Sequence, residues 1–217
     1  MKKLKDKKFM GIPAAVLPIL WGIFGILAAL VEKFLEIGSS SDFGGYNNLV
    51  LCILVIIIGA AIGILTFLKD KLGEKVLAYA EKAIPFLLGV LAVNGVFEML
   101  SSLNVFVEAI VFDYYGIWSG IYGLLEIFAA LSLIVVALIA YGNKRIGKFW
   151  YAPAALRVIY AVLSLILSIL LIFIESWNFS IFWILEFVAD VVFALALGAI
   201  GYWCALPEKE EAASVQE

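Results

Sequence analysis

The chain has 217 residues, of which 65% are hydrophobic and 15% charged, and its mean hydropathy is +1.10. Roughly a quarter of a soluble domain is charged, so this composition excludes a water-soluble fold and reads as an integral membrane protein. The net charge is −3 and there is no histidine, which removes the usual neutral-pH proton shuttle and the commonest metal ligand.

The chain opens on the basic arm MKKLKDKKF and an apolar run of 22 residues, Met10 to Val31. That run is longer than the 7–15 residues of a signal-peptide core, so it is expected to remain as a first span. Five further runs reach the ~20 residues that a crossing needs. The six expected spans are 11–32, 49–68, 83–103, 117–141, 153–174 and 180–205. The link Lys69–Lys82 is amphipathic and lysine-rich, fit to lie on a membrane surface. The stretch Ser101 to Tyr115 is apolar but holds Glu108 and Asp113, and it reads as an interfacial or re-entrant piece. Residues 207–217 are polar and acidic, the composition of a solvated tail.

Three segments echo one another. KFMGIPAAV at Lys8–Val16 and KFWYAPAAL at Lys148–Leu156 share five of their first eight positions, and a fainter copy surrounds Pro85. Pro13, Pro85 and Pro153 are 72 and 68 residues apart, which divides residues 1–206 into hairpin units of about 8–70, 71–143 and 144–206. The expected fold is therefore all-α and polytopic, a single domain of six transmembrane helices in three tandem hairpins with a pseudo-threefold repeat. Each proline is expected in the first turn of its helix, where no hydrogen bond is lost. Gly59/Gly63 and Ala194/Gly198 form small-residue faces, suited to close packing inside the chain or between copies of it.

Fourteen of the 15 Lys and Arg fall on the side of both termini, with Lys33 alone opposite. The positive-inside rule then puts the termini in the cytoplasm of a cell-membrane protein. Tyr46, Tyr114, Tyr115, Trp118 and Trp177 at one end, and Tyr141, Trp150, Tyr151, Tyr202 and Trp203 at the other, read as interfacial belts.

The run Phe86-Leu87-Leu88-Gly89-Val90-Leu91-Ala92-Val93-Asn94-Gly95-Val96 resembles the first helix of the HdeD-like family of membrane hairpin repeats. Tyr115-Gly116-Ile117-Trp118-Ser119-Gly120-Ile121-Tyr122-Gly123-Leu124-Leu125-Glu126 resembles its second. The likeness is greatest in the middle third of the chain. It implies a bacterial protein of tandem hairpins, in a family some of whose members are linked to acid-stress resistance, and it implies no functional residues.

Ten acids lie in the outer halves of the spans or in the outer loops, namely Glu32, Glu36, Asp42, Glu98, Glu108, Asp113, Glu126, Glu175, Glu186 and Asp190. A mouth of that sign concentrates cations and protons. Glu98, Glu126, Glu186 and Asp190 fall deepest, and a charge at mid-membrane costs about 2.5–3.5 kcal/mol, so they should face the bundle interior or water. Glu186 and Asp190 are one turn apart, placed to raise each other's pKa. Asn94 stands one turn before Glu98 and can bond it. Arg157 reads either as snorkelling to the near headgroups or as a gate and counter-charge. Hydroxyls such as Ser164 and Ser168 more often bond a backbone carbonyl or a neighbouring helix than a substrate.

Cys52 and Cys204 fall in separate apolar runs without zinc or CxxC spacing and read as structural thiols. No phosphate loop, HExxH, GxSxG or EF-hand pattern occurs, so neither enzymatic activity nor a cofactor or metal is expected. The basic residues follow topology, which leaves nucleic acid without support. The expected function is a small proton- or cation-handling channel or transporter with an acidic outer vestibule. The alternative is a non-transporting structural or stress-response protein that acts as an assembly partner.

Overall fold

A computed structural model describes residues 7–35, 46–69, 71–111, 116–142, 146–174 and 181–206. The described residues form six long helices: α1 (Lys7–Leu35), α2 (Tyr46–Phe67), α3 (Glu74–Val111), α4 (Gly116–Tyr141), α5 (Ala152–Ile174) and α6 (Ile181–Ala205). Each contains a stretch long and apolar enough to cross a membrane. The protein is thus an all-helical, multi-pass membrane protein in contact with a lipid bilayer. Glu36, Asp42, Asp113, Tyr114, Tyr115, Glu175, Trp177 and the tail 207–217 lie outside the described residues, as do the side chains of Glu32, Lys33, Tyr46 and Trp183.

Consecutive helices pair, α1 on α2, α3 on α4 and α5 on α6. Contacts of α2 with α3, α4 with α5 and α6 with α1 join the pairs into a ring, and α4 also touches α6. The pairs run antiparallel, as small residues fitted against facing backbone reveal. A Cβ on Gly95 would come within 2.8 Å of the Ala130 carbonyl oxygen, and one on Gly123 within 2.8 Å of that of Ser102. Backbones this close require a residue without a side chain. Gly116, where α4 begins, has φ +75°, a conformation open to glycine at little cost.

The main apolar core lies toward the end of the bundle that carries residues 7 and 206, here the terminal face. Val55, Ile58, Ile62, Leu88, Leu91, Leu133, Val136, Phe193, Leu197 and Ile200 are all fully buried there. This cluster draws on α1, α2, α3, α4 and α6, and α5 adds no buried residue to it. Helix α5 buries Ala161, Leu167 and Leu171 elsewhere.

Several expectations change. The link 69–82 is no separate surface segment. Gly73 O accepts from the Val76 and Leu77 amides, and α3 starts at once with Glu74 in its first turn, where a carboxylate suits the helix dipole. At the other end Ser101–Val111 simply continues α3 and is not re-entrant. The 38 residues of α3 span about 57 Å, well beyond the ~30 Å of hydrocarbon. Only Pro153 sits in a first turn, whereas Pro13, Pro18 and Pro85 lie inside their helices. Trp203 is not part of a belt: it is buried in the core, with the Lys7 ammonium 4.7 Å from its ring centroid. Tyr141, Trp150 and Tyr151 are exposed at the terminal face, as a belt requires.

The small-residue faces are occupied inside the chain. A Cβ on Gly59 would meet the Ala15 carbonyl oxygen at 2.7 Å, Gly63 faces the Ala15 methyl, and Gly198 faces that of Ala154. Ala194 is fully buried. These faces are therefore not available to a second copy. Cys52 is buried, Cys204 half-buried, and both are free thiols.

The Gly95 contact yields a stability prediction. Gly95→Leu should cost about 1–3 kcal/mol, as overpacking does. Gly73→Ala, which meets nothing within 4 Å, should change stability by less than about 0.5 kcal/mol. Reversible unfolding in mixed micelles reads both.

Candidate functional site

A ladder of polar groups climbs one face of α3. Asn94 Nδ2 donates to Glu98 Oε1 at 2.7 Å. One turn further, Ser102 Oγ lies 2.8 Å from the Glu98 carbonyl oxygen and 3.0 Å from Glu126 Oε2 of α4. The register of Gly95 on Ala130 and Gly123 on Ser102 puts Glu98 and Glu126 at the same depth. Glu98 is half-buried and Glu126 exposed. Two carboxylates on neighbouring helices thus share one small polar neighbourhood.

The second part of the site joins α5 to α6. Arg157 Nη2 and Nε donate to the same oxygen, Asp190 Oδ1, at 2.6 and 3.0 Å. The two side chains are only 13% and 17% exposed. The guanidinium also lies over two rings, 5.1 Å from the Tyr160 centroid and 5.0 Å from that of Phe193. Phe193 in turn stacks on Trp21 of α1, with centroids 4.0 Å apart and planes 14° apart. Carboxylate, rings and guanidinium form one stacked assembly, in which a partly desolvated cation gains from both charge and π-face.

The two parts are electrically joined. Glu98 feels the charges of Arg157 and Glu126, and the Tyr160 phenol feels those of Asp190, Arg157 and Glu126. On α5 the residues Arg157, Tyr160, Ser164 and Ser168 follow helical spacing and share a face. Ser168 Oγ is 2.7 Å from the Tyr122 hydroxyl of α4, the interhelical one of the two bonds expected of such a serine. Ser164 Oγ is enclosed and meets no partner with hydrogen-bond geometry among the described residues, and the Tyr160 phenol is the polar group beside it.

Asn94, Glu98, Glu126, Arg157 and Asp190 are therefore brought together. Glu186, one turn before Asp190, is half-buried and makes contacts of its own. One reading is corrected. Arg157 does not snorkel to the near headgroups. Gly198 packs on Ala154, so Asp190 lies five residues farther from the terminal face than the Arg157 backbone, or roughly 7.5 Å, and the guanidinium reaches inward to it. Asp190 has a cation as a charge partner.

Ser102, Tyr160, Phe193 and Trp21 were not singled out from the sequence. The spacing Asn94, Glu98, Ser102 carries a signal, because successive fourth residues share a helix face. The aromatic residues carry none in a chain with 14% aromatic residues.

Farther toward the terminal face, Tyr141 OH donates to the Pro85 carbonyl oxygen at 2.5 Å and fastens α4 to α3. Gly89 leaves room for it, since a Cβ there would stand 3.0 Å from that hydroxyl.

In comparisons with known proteins, no family model, curated protein or solved structure matches the chain.

The ion pair yields a second prediction. Removing one partner of a buried pair strands the other, at a typical cost of about 3–5 kcal/mol. Arg157→Gln and Asp190→Asn should each lose much of that range, and the double variant should recover most of it. A double-mutant cycle on unfolding in micelles checks this; fully additive losses would contradict the pairing.

Proposed function

We propose that the protein moves protons or small monovalent cations through a site formed by Glu98 and Glu126, with Arg157 as its built-in counter-charge and Asp190 as the carboxylate that holds Arg157. The observation that carries this reading is the charge balance of the cluster. Asp190 and Glu98 stand within electrostatic reach of the Arg157 guanidinium, and Glu126 stands within reach of Glu98. Unbalanced negative charge among membrane helices is costly, so the cluster favours uptake of further positive charge. The basic residues on the terminal face orient the protein with both termini in the cytoplasm of a cell membrane. The acidic site then opens outward, and the packed core from Leu88 to Ile200 closes the path below it. In this reading the three helix pairs are copies of one hairpin, and the acids survive as functional positions in only two of them.

A second reading is favoured by the bonds themselves. Ser102–Glu126, Tyr122–Ser168 and Arg157–Asp190 each tie two helices together. A scaffold of the HdeD-like kind, with no transport and a role in assembly or stress response, would use them as cross-links.

Flux separates the two readings. Proteoliposomes with an internal pH dye and imposed proton, sodium or potassium gradients should show uptake by the wild type. Glu98→Gln/Glu126→Gln, matched for folding and incorporation, should lose at least about 90% of it, the tenfold that 1.4 kcal/mol of lost stabilisation represents. Wild-type vesicles that hold folded protein and stay silent to every gradient would refute the transport reading.

A further inference from the structure

We propose that the side chains of Asp190, Tyr160 and Phe193 form an organic-cation site, and that Arg157 is its tethered occupant, displaced when a free guanidinium- or ammonium-type ligand enters. The inference goes beyond the transport reading above: it names a second cation site and its ligand class. The three side chains already display the chemistry they would recognise. One carboxylate oxygen takes two N–H groups at 2.6 and 3.0 Å, and two ring faces lie about equally far from the guanidinium carbon, at 5.0 and 5.1 Å. Such a set selects a cation with N–H donors and a flat or methylated body.

Three further observations separate a ligand site from a simple salt bridge. Both donors of Arg157 converge on Oδ1, so the pair is end-on and not the fork-to-fork arrangement that uses both carboxylate oxygens. The capacity of Oδ2 is left to a second donor. On the same face of α5, the enclosed Ser164 hydroxyl, beside the Tyr160 phenol, meets no partner with hydrogen-bond geometry among the described residues. Finally, Arg157 has a second carboxylate within electrostatic reach, Glu98 of α3. A guanidinium displaced from Asp190 therefore stays in the field of a carboxylate, which lowers the cost of exchange.

The same geometry disfavours a multivalent metal. Among the described residues no three Asp, Glu, Cys or His side chains converge as a metal requires, and hard cations such as calcium need six or more oxygen ligands. An organic monovalent cation needs one carboxylate and ring faces, which are present.

Guanidinium chloride at low millimolar concentration is the probe, titrated against protein in lipid nanodiscs, with potassium chloride at equal ionic strength as the control. Binding is read from tryptophan fluorescence, with Trp21 stacked on Phe193 as the internal reporter, and from the unfolding midpoint. Wild type should saturate with guanidinium and not with potassium. Arg157→Ala, freed of the tethered competitor, should bind about tenfold or more tightly, and Tyr160→Leu about fivefold more weakly, the range a lost cation–π contact represents. If Arg157→Ala does not fold, the wild-type and Tyr160→Leu titrations decide alone.

Equal responses to guanidinium and potassium, no response in the wild type, or unchanged affinity in Tyr160→Leu would overturn the proposal. Proton or potassium flux that depends on Glu98 and Glu126, without guanidinium binding, would remove this inference and leave the transport reading standing. Specific guanidinium binding without flux of any cation, guanidinium included, would do the reverse.

Discussion

The Arg157–Asp190 contact governs how α5 is attached to α6. An arginine among membrane helices is tolerable only when it finds an opposite charge and polar or aromatic surroundings. Arg157 finds all of these by reaching away from the nearer face of the bundle. The apolar core holds α1, α2, α3, α4 and α6 together without buried residues from α5. Helix α5 is held by its own buried Ala161, Leu167 and Leu171, by the ion pair, by Tyr122–Ser168, and by the fit of Ala154 onto Gly198. Five helices therefore depend mainly on packing, and the sixth depends as much on polar contacts. Polar contacts are directional, so a change of partner at Arg157 would be felt first in α5.

The bundle has two unlike ends. Toward the terminal face the interior is a packed apolar core, whereas the polar groups collect deeper along the helices. Asn94, Glu98 and Ser102 lie beyond Leu91 on α3, and Asp190 precedes Phe193 on α6. Phe193 stands at the boundary, with its ring on Trp21 and the guanidinium above it. Charge therefore lies above this boundary and hydrocarbon below it. A path onward would have to part residues that are now fully buried.

The spans were legible because lipid imposes one rule over a long window: about 20 apolar residues per crossing. Their ends were less so. Composition detects where a helix becomes polar, not where it stops, and α3 continues through both of its polar flanks, Glu74–Lys82 and Ser101–Val111. Proline misled for a related reason. Its preference for first turns is a rule of soluble helices, but Pro13 and Pro85 lie farther inside. In a membrane, neighbouring groups can take over the freed backbone positions. The small-residue faces were read correctly as packing surfaces. Their partners, Ala15 for Gly59 and Ala154 for Gly198, could not be told from those of a second copy without the fold.

The members of the site were legible and their pairing was not. Glu98, Glu126, Asp190 and Arg157 stand out because each is a charge inside an apolar run, and Asn94–Glu98 is a local contact fixed by helical spacing. Arg157–Asp190 and Ser102–Glu126 are separated by 33 and 24 residues, and depend on how two helices slide past each other. That register is set by Gly95, Gly123 and Gly198, where one added methyl group would shift the depth of a charge. Sequence periodicity gives the rotation of a helix about its axis, but the offset between two helices is decided by close contacts along the whole pair. In this protein the glycines set the offset and the charges exploit it. The depth at which Arg157 meets Asp190 is a property of helix packing before it is a property of either side chain.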